Sequence, residues 1–244
     1  MSIYAMSDLH LSFSVNKPMD VFGARWEGYV DKIYNNWTET INDDDIVLVP
    51  GDSSWGINLD EARQDLLWIN DLPGRKILSK GNHDYWWETM NKLAKFKEDN
   101  RLDTIDFLFN NAFDLGKAYL CGTRGWMVPE NGSASDLENN QKVFRREQGR
   151  LEISLKNMKE LIDGSGHAEP EKPIICMLHY PIFNFDGSRT VFYEKLIENN
   201  VDICIFGHLH GHSLNKFRIP PDSELDAHLV SADNLFFKPK LIVK

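Results

Sequence analysis

The 244-residue sequence has no long hydrophobic run, and no stretch reaches the roughly 18 consecutive apolar residues that a membrane-spanning helix needs. We also expect no secretory leader, because a predicted strand follows Met1 almost directly, without a basic and then apolar segment. Cysteine is scarce: Cys121, Cys176 and Cys204 lie in or beside apolar segments without CxxC spacing, which favours buried, reduced thiols. We therefore expect a cytoplasmic protein with no membrane partner.

The chain has fewer basic than acidic residues, 27 compared with 37, so its net charge is −10. Proteins that bind nucleic acid or anionic membranes non-specifically do so through basic surface, so this balance argues against both kinds of partner. It does not argue against a small phosphate-bearing substrate, because bound divalent cations outweigh the charge of a few carboxylates at a site.

Apolar strands alternate with amphipathic helices through the first half of the chain. Strands are predicted at 3–7, 46–50 and 76–79, and helices at about 24–41, 59–69 and 85–97. Strands that alternate with helices imply βαβ units and a largely parallel sheet. With no convincing boundary along the chain, the sequence predicts a single α/β domain over 1–244.

The second half is predicted to be less regular. Two strands joined by a turn, 107–109 and 117–121, precede a long loop at 122–140, of which 127–140 is a candidate lid. The further predicted elements are a helix at 143–162, a polar linker at 164–173, strands at 174–178 and 202–206 around a helix at 191–198, and short strands at 213–217, 227–232 and 236–243.

Five short polar motifs follow the apolar strands. They are Asp8-Leu9-His10, Gly51-Asp52, Gly81-Asn82-His83-Asp84, His179 and Gly207-His208-Leu209-His210. Open α/β sheets place their sites at the carboxyl ends of strands, so the motifs are predicted to converge on one rim. Asp, Asn and His offer the mixture of oxygen and nitrogen ligands that divalent Mn, Fe or Zn accept. Each motif alone has an ordinary structural explanation, but their conjunction predicts a metal site.

This mixture of ligands suits the hydrolysis of a phosphoester. Two divalent ions about 3.5–4 Å apart can bridge a water or hydroxide, lower its pKa towards roughly 7 and clamp the phosphoryl oxygens. A carboxylate such as that of Asp52 can bridge both ions, and a histidine that is not a ligand can protonate the leaving oxygen. The expected cofactors are therefore two divalent metal ions.

In these motifs, DxH, GD, GNHD, H and GHxH, the chain resembles the calcineurin-like metallophosphoesterase superfamily over positions 8 to 210. The segments Gly122–Trp126 and Leu229–Ile242 are similar to bacterial predicted phosphohydrolases of that superfamily. The resemblance implies a four-layer αββα sandwich of mixed sheets with a dinuclear metal centre. It assigns His83 as the catalytic residue. It assigns the first ion to Asp8, His10, Asp52 and His210, and the second to Asp52, Asn82, His179 and His208.

The second motif departs from the GDxVDRG pattern of phosphoprotein phosphatases. The chain reads Gly51-Asp52-Ser53-Ser54-Trp55-Gly56, without the later carboxylate and the arginine. This argues against a protein phosphatase, favours a phosphodiester over a monoester, and leaves open what orients His83. A phosphomonoesterase or nucleotide hydrolase, a nuclease and a non-catalytic interaction module stay as alternatives, and the oligomeric state is also left open.

Three further residues have candidate roles in the site or its surroundings. Arg124 lies in a Gly-flanked loop after a strand, where its guanidinium could bind phosphate, although a surface salt bridge explains it equally well. Trp126 is a candidate wall for a base or aryl group of the substrate, although packing explains most of the nearby tryptophans. Asp84 is predicted to be the N-cap of a helix that begins near Tyr85.

Overall fold

Ten strands and six α-helices are found in residues 1–127, 133–164 and 171–244, which the computed structural model describes. The strands are β1 (Ile3–Ala5), β2 (Ile46–Val49), β3 (Arg75–Ser79), β4 (Ile105–Leu108), β5 (Phe113–Asp114), β6 (Tyr119–Thr123), β7 (Ile174–Leu178), β8 (Ile203–Phe206), β9 (Asp226–Leu229) and β10 (Lys240–Val243). The helices are α1 (Tyr29–Thr40), α2 (Leu59–Asp71), α3 (Met90–Asn100), α4 (Ala134–Gly164), α5 (Val191–Glu198) and α6 (Ser213–Lys216).

The strands form two five-stranded sheets, each of which is parallel except for one edge strand. The first sheet has the order β10-β1-β2-β3-β4, in which β10 pairs antiparallel with β1. The second has the order β5-β6-β7-β8-β9, in which β5 pairs antiparallel with β6. Because the parallel strands of each sheet run in one direction, their carboxyl ends lie along one edge of that sheet.

Successive side chains of each strand face different layers, as a period of two requires. Along β2, Ile46 and Leu48 belong to an apolar cluster that joins the two sheets, whereas Val47 and Val49 pack with α1 and α2 on the outer face. A third cluster joins the second sheet to α4 and α5 and contains all three cysteines, which are buried and free. The molecule is thus a four-layer αββα sandwich, which confirms the predicted fold class.

Several predicted elements match the structure and several do not. The strand at 174–178 and the helix at 191–198 are confirmed as β7 and α5. Strands are found near both predicted positions, 107–109 and 117–121, as β4 and β6, but β4 lies at the edge of the first sheet and β6 belongs to the second. The segment 213–217 is the short helix α6 rather than a strand, and α1 begins at Tyr29 because Gly28, at a φ of 60°, interrupts the predicted longer helix.

The helix α4 begins well before its predicted start at residue 143. The Ser133 hydroxyl accepts the backbone N–H of Asp136 at 3.2 Å, which is an N-cap contact. Residues 134–140 of the predicted lid are therefore helical. Residues 128–132 of the lid, and residues 165–170 of the predicted linker, which include His167, lie outside the described residues. In the described part of the chain, no helix is both long and apolar enough to cross a bilayer.

Candidate metal centre

The five predicted motifs come together at the carboxyl ends of strands from both sheets. The motifs of Asp8, Asp52 and Asn82 follow β1, β2 and β3, and those of His179 and His208 follow β7 and β8. Backbone hydrogen bonds join neighbouring motifs: Asp8 donates its N–H to the Gly51 carbonyl at 3.0 Å, and His10 donates to the Asp52 carbonyl at 3.0 Å. The predicted convergence on one rim is therefore seen.

Four of the candidate ligands have a left-handed backbone, which residues other than glycine rarely adopt. The φ angles are 57° at Asp8, 47° at His10, 54° at Asp52 and 70° at His208. Each such residue costs on the order of 1 kcal/mol or more, and strain of this kind clusters at functional sites. These conformations occur at the sharp exits from the strands, where the side chains meet.

The first set of ligand atoms belongs to Asp8, His10 and His210, and these atoms lie within 4.8 Å of one another. The Nε2 atom of His10 also lies 3.8 Å from Oδ2 of Asp52. Both atoms are buried, and neither finds a hydrogen-bond partner in the described ranges of the chain. Buried polar atoms without a partner are costly, and a cation placed among these would satisfy them.

The second set surrounds the side-chain oxygen of Asn82. Its Oδ1 lies 2.7 Å from Nε2 of His179 and 2.8 Å from Nδ1 of His208, and the same Nε2 lies 3.4 Å from Oδ2 of Asp52. The other nitrogen of His179, Nδ1, lies 2.8 Å from the Pro50 carbonyl, which only accepts, so we assign the proton to Nδ1. Nε2 then presents a lone pair to two oxygens, an arrangement that a cation would stabilise.

The electrostatics of these groups also fit a cation. Burial lowers the pKa of the His179 imidazole to about 4 and that of His208 to about 2, so both rings are neutral at pH 7, as metal ligands must be. Burial raises the pKa of Asp8 to about 6 and holds that of Asp52 well above its usual value. A nearby positive charge would favour the ionised form of both carboxyls.

Asp84 ties the second motif to the third, and the prediction that it caps a helix is wrong because α3 begins only at Met90. Its buried carboxylate accepts, at 2.7–3.3 Å, the backbone N–H groups of Gly81, Asp52, Ser53 and Ser54 and the indole N–H of Trp86. One side chain therefore fixes the backbone from Asp52 to Ser54 and that of Gly81, which precedes Asn82.

Replacement of Asp84 by alanine is expected to lower the free energy of unfolding by on the order of 3 kcal/mol, because it leaves several buried N–H donors without an acceptor. Urea denaturation of the two proteins measures this difference. The control is Asp43→Ala, which removes an exposed aspartate and should change the free energy of unfolding by less than about 0.5 kcal/mol. Equal stability of the wild type and Asp84→Ala would contradict the assigned role.

His83 is held by its backbone and by aromatic packing. Its backbone N–H donates to Oδ1 of Asp52 at 2.8 Å, and its ring centroid lies 4.4 Å from that of Trp55, which also stacks on His10 at 4.9 Å. Burial, followed by the nearby His210 and Lys17, lowers the pKa of His83 to about 4. The contact with Trp55 therefore orients His83, which lacks the carboxylate that the phosphatase motif would provide.

Arg124 contacts the candidate ligand His179 directly, and Trp126 reaches the candidate ligand His208 through Tyr180. The Arg124 carbonyl accepts the backbone N–H of His179 at 2.9 Å, and its guanidinium lies over the Trp126 ring and forms an ion pair of 3.3 Å with Glu147. The Trp126 ring lies 4.8 Å from that of Tyr180, which is 4.2 Å from the His208 ring. The predicted salt bridge of Arg124 exists, and its partner is buried rather than exposed.

Comparison with known proteins gives the same picture of the fold. A model of the calcineurin-like phosphoesterase family matches residues 1–212. The chain is similar to phosphopantetheinyl hydrolase from Mycobacterium tuberculosis (TM-score 0.50, 12% identity, covering 94% of this chain and 88% of that one). It is also similar to the protein TT1561 of Thermus thermophilus (TM-score 0.51, 14% identity, 85% and 81% covered). At these identities the likeness is one of fold. No curated protein matches the chain.

Proposed function

The chain belongs to the calcineurin-like phosphoesterase family, whose members are metal-dependent phosphoesterases, and from this premise we propose that it hydrolyses a small phosphodiester at a dinuclear metal centre. One observation carries the proposal: the unpartnered Oδ2 of Asp52 faces both His10 and His179, at 3.8 and 3.4 Å. A single carboxylate oxygen between two sets of ligands is what a bridging position requires.

The proposed ligands divide into two sets that share Asp52. The first set is Asp8, His10, Asp52 and His210, and the second is Asp52, Asn82, His179 and His208. Two divalent ions (Mn, Fe or Zn), when bound there, supply an activated water and stabilise the charge on the phosphoryl oxygens. His179 and His208 can bind an ion as neutral ligands, because burial keeps both imidazoles unprotonated.

His83 is the proposed catalytic residue. Its pKa of about 4 leaves a neutral imidazole at pH 7, with one N–H to donate and one lone pair. Packed against Trp55 at the edge of the centre, the ring is placed to donate a hydrogen bond to the leaving oxygen of a bound phosphoester. Trp55 acts as a positioning residue, because it contacts both His83 and His10.

Hydrolysis of simple esters tests the proposal. The full chain, loaded with Mn, Zn or Fe, should hydrolyse bis(p-nitrophenyl) phosphate with a higher kcat/KM than p-nitrophenyl phosphate, because no arginine of the phosphatase motif is present to hold a monoester dianion. Excess chelator should abolish turnover. A preference for the monoester would overturn the diester assignment, and failure to hydrolyse either ester would indicate an interaction module instead of an enzyme.

A further inference from the structure

A cationic cavity lies beside the metal centre. It has a volume of about 410 Å³, and the side chains that decide its character are those of Lys80, Arg124, Arg146, Arg150, Trp87 and Glu88. The single carboxylate in this group, that of Glu88, already forms an ion pair of 3.0 Å with Lys92. The four basic side chains make this cavity locally positive, whereas the protein as a whole has a net charge of −10.

The cavity adjoins the proposed ligands through the chain itself. Lys80 directly precedes Gly81 and Asn82 at the end of β3. Arg124 follows β6, and its carbonyl accepts the backbone N–H groups of His179 and Tyr180 at 2.9 and 3.0 Å. Two residues that line the cavity are therefore direct neighbours of the third and fourth motifs, as a substrate that extends from the cavity to the candidate metal centre would require.

A buried carboxylate fixes the arginines in place. Oε1 of Glu147 lies 2.6 Å from Arg150, 3.3 Å from Arg124 and 3.8 Å from Arg146, and its other oxygen accepts the Thr123 hydroxyl at 2.9 Å. Glu147 is fully buried on the inner side of α4. One negative charge thus orients three guanidinium groups and neutralises only one of them, so the cavity keeps an excess of fixed positive charge before any ligand binds.

Two donors at the cavity have no acceptor. The Nε–H of Arg124 and the indole N–H of Trp87 are buried, and neither forms a hydrogen bond within residues 1–127, 133–164 and 171–244. Both belong to residues that line the cavity. The excess of cations around the cavity favours a ligand with several acceptor oxygens and a negative charge.

We propose that this cavity binds a second phosphate of the substrate, so that the natural substrate carries a phosphate in addition to the phosphoester that is cleaved. Guanidinium groups bind phosphate in a bidentate way, and the excess charge of the cavity matches a phosphate dianion. The inference rests on the proposed phosphoesterase function and defines the class of its substrate: a phosphodiester that carries a further phosphate, rather than one whose alkyl or aryl groups have no additional charge.

Kinetics of a matched pair of esters test this inference. Thymidine 5′-(p-nitrophenyl phosphate) with a 3′-phosphate should have a kcat/KM about tenfold higher than the same ester without it, when the metal-loaded full chain is used. Arg146→Gln should remove most of this preference. Arg145→Gln, which removes the same charge from an exposed neighbour outside the cavity, should keep it.

Binding separates this inference from the proposed function. Titration calorimetry of the metal-loaded chain should give about tenfold tighter binding of thymidine 3′,5′-bisphosphate or thymidine 5′-diphosphate than of the 5′-monophosphate. Arg146→Gln should reduce that difference, and Arg145→Gln should not. If no ester is hydrolysed, the proposed function fails, while the binding preference still supports the cavity. Equal affinities for all three nucleotides would overturn the inference, even if the esters are hydrolysed.

Discussion

Asp52→Asn is expected to lower kcat/KM for bis(p-nitrophenyl) phosphate by roughly 10³-fold and to reduce the amount of bound metal. The Oδ2 atom of Asp52 faces both ligand sets, so its replacement by an amide nitrogen removes a ligand from each. The fold should survive, because asparagine has the same size, tolerates the left-handed backbone and keeps an oxygen to accept the His83 N–H.

Elemental analysis of the purified protein measures this loss of metal, and steady-state kinetics measure the loss of activity. Asp103→Asn, which makes the same change at an exposed aspartate, is the control and should retain both metal and activity. If Asp52→Asn kept two ions per chain and wild-type turnover, Asp52 could not be the bridging ligand.

His83→Ala is expected to lower kcat by roughly 10²–10⁴-fold while the metal content stays unchanged. The His83 ring belongs to neither ligand set, since its described contacts are with the rings of Trp55, His10 and Tyr85. The loss should be larger for a phenyl ester than for a p-nitrophenyl ester, because the more basic leaving oxygen depends more on hydrogen-bond donation from the histidine.

His212→Ala is the matched control for this variant, because His212 is an exposed histidine close in sequence to the fifth motif. It should retain full activity with both esters. Equal losses for the two leaving groups in His83→Ala would assign His83 to substrate binding rather than to departure of the leaving group, and full activity would contradict any direct role.

The convergence of the candidate ligands could be predicted from the sequence because its signal is local. Each of Asp8, Asp52, Asn82, His179 and His208 follows an apolar strand, so strand direction alone brings them to one rim. The resemblance added the two-sheet sandwich. The hydrophobic pattern could not assign β4 and β6 to separate sheets, because both are short apolar strands with a turn between them.

The residues that support the site were harder to predict, because their roles depend on contacts distant in sequence. Asp84 has the sequence features of a helix cap, and only the later start of α3 at Met90 frees it to bind the backbone of the second motif. Glu147 lies in a helix rich in charged residues, and its burial depends on how α4 packs against β6. The position of Trp55 directly after the second motif indicates that it lies near the site, but its contact with His83 can be seen only in the folded structure.

Each proposed ligand set draws on both sheets, since Asp8, Asp52 and Asn82 follow strands of the first sheet and His179 and His208 follow strands of the second. An ion bound by the first set would therefore join parts of the chain that are far apart in sequence, such as Asp8 and His210. A cation that binds only the folded chain adds to the stability of that state in proportion to the logarithm of its concentration. The concentration of available metal would then set the stability of the folded chain.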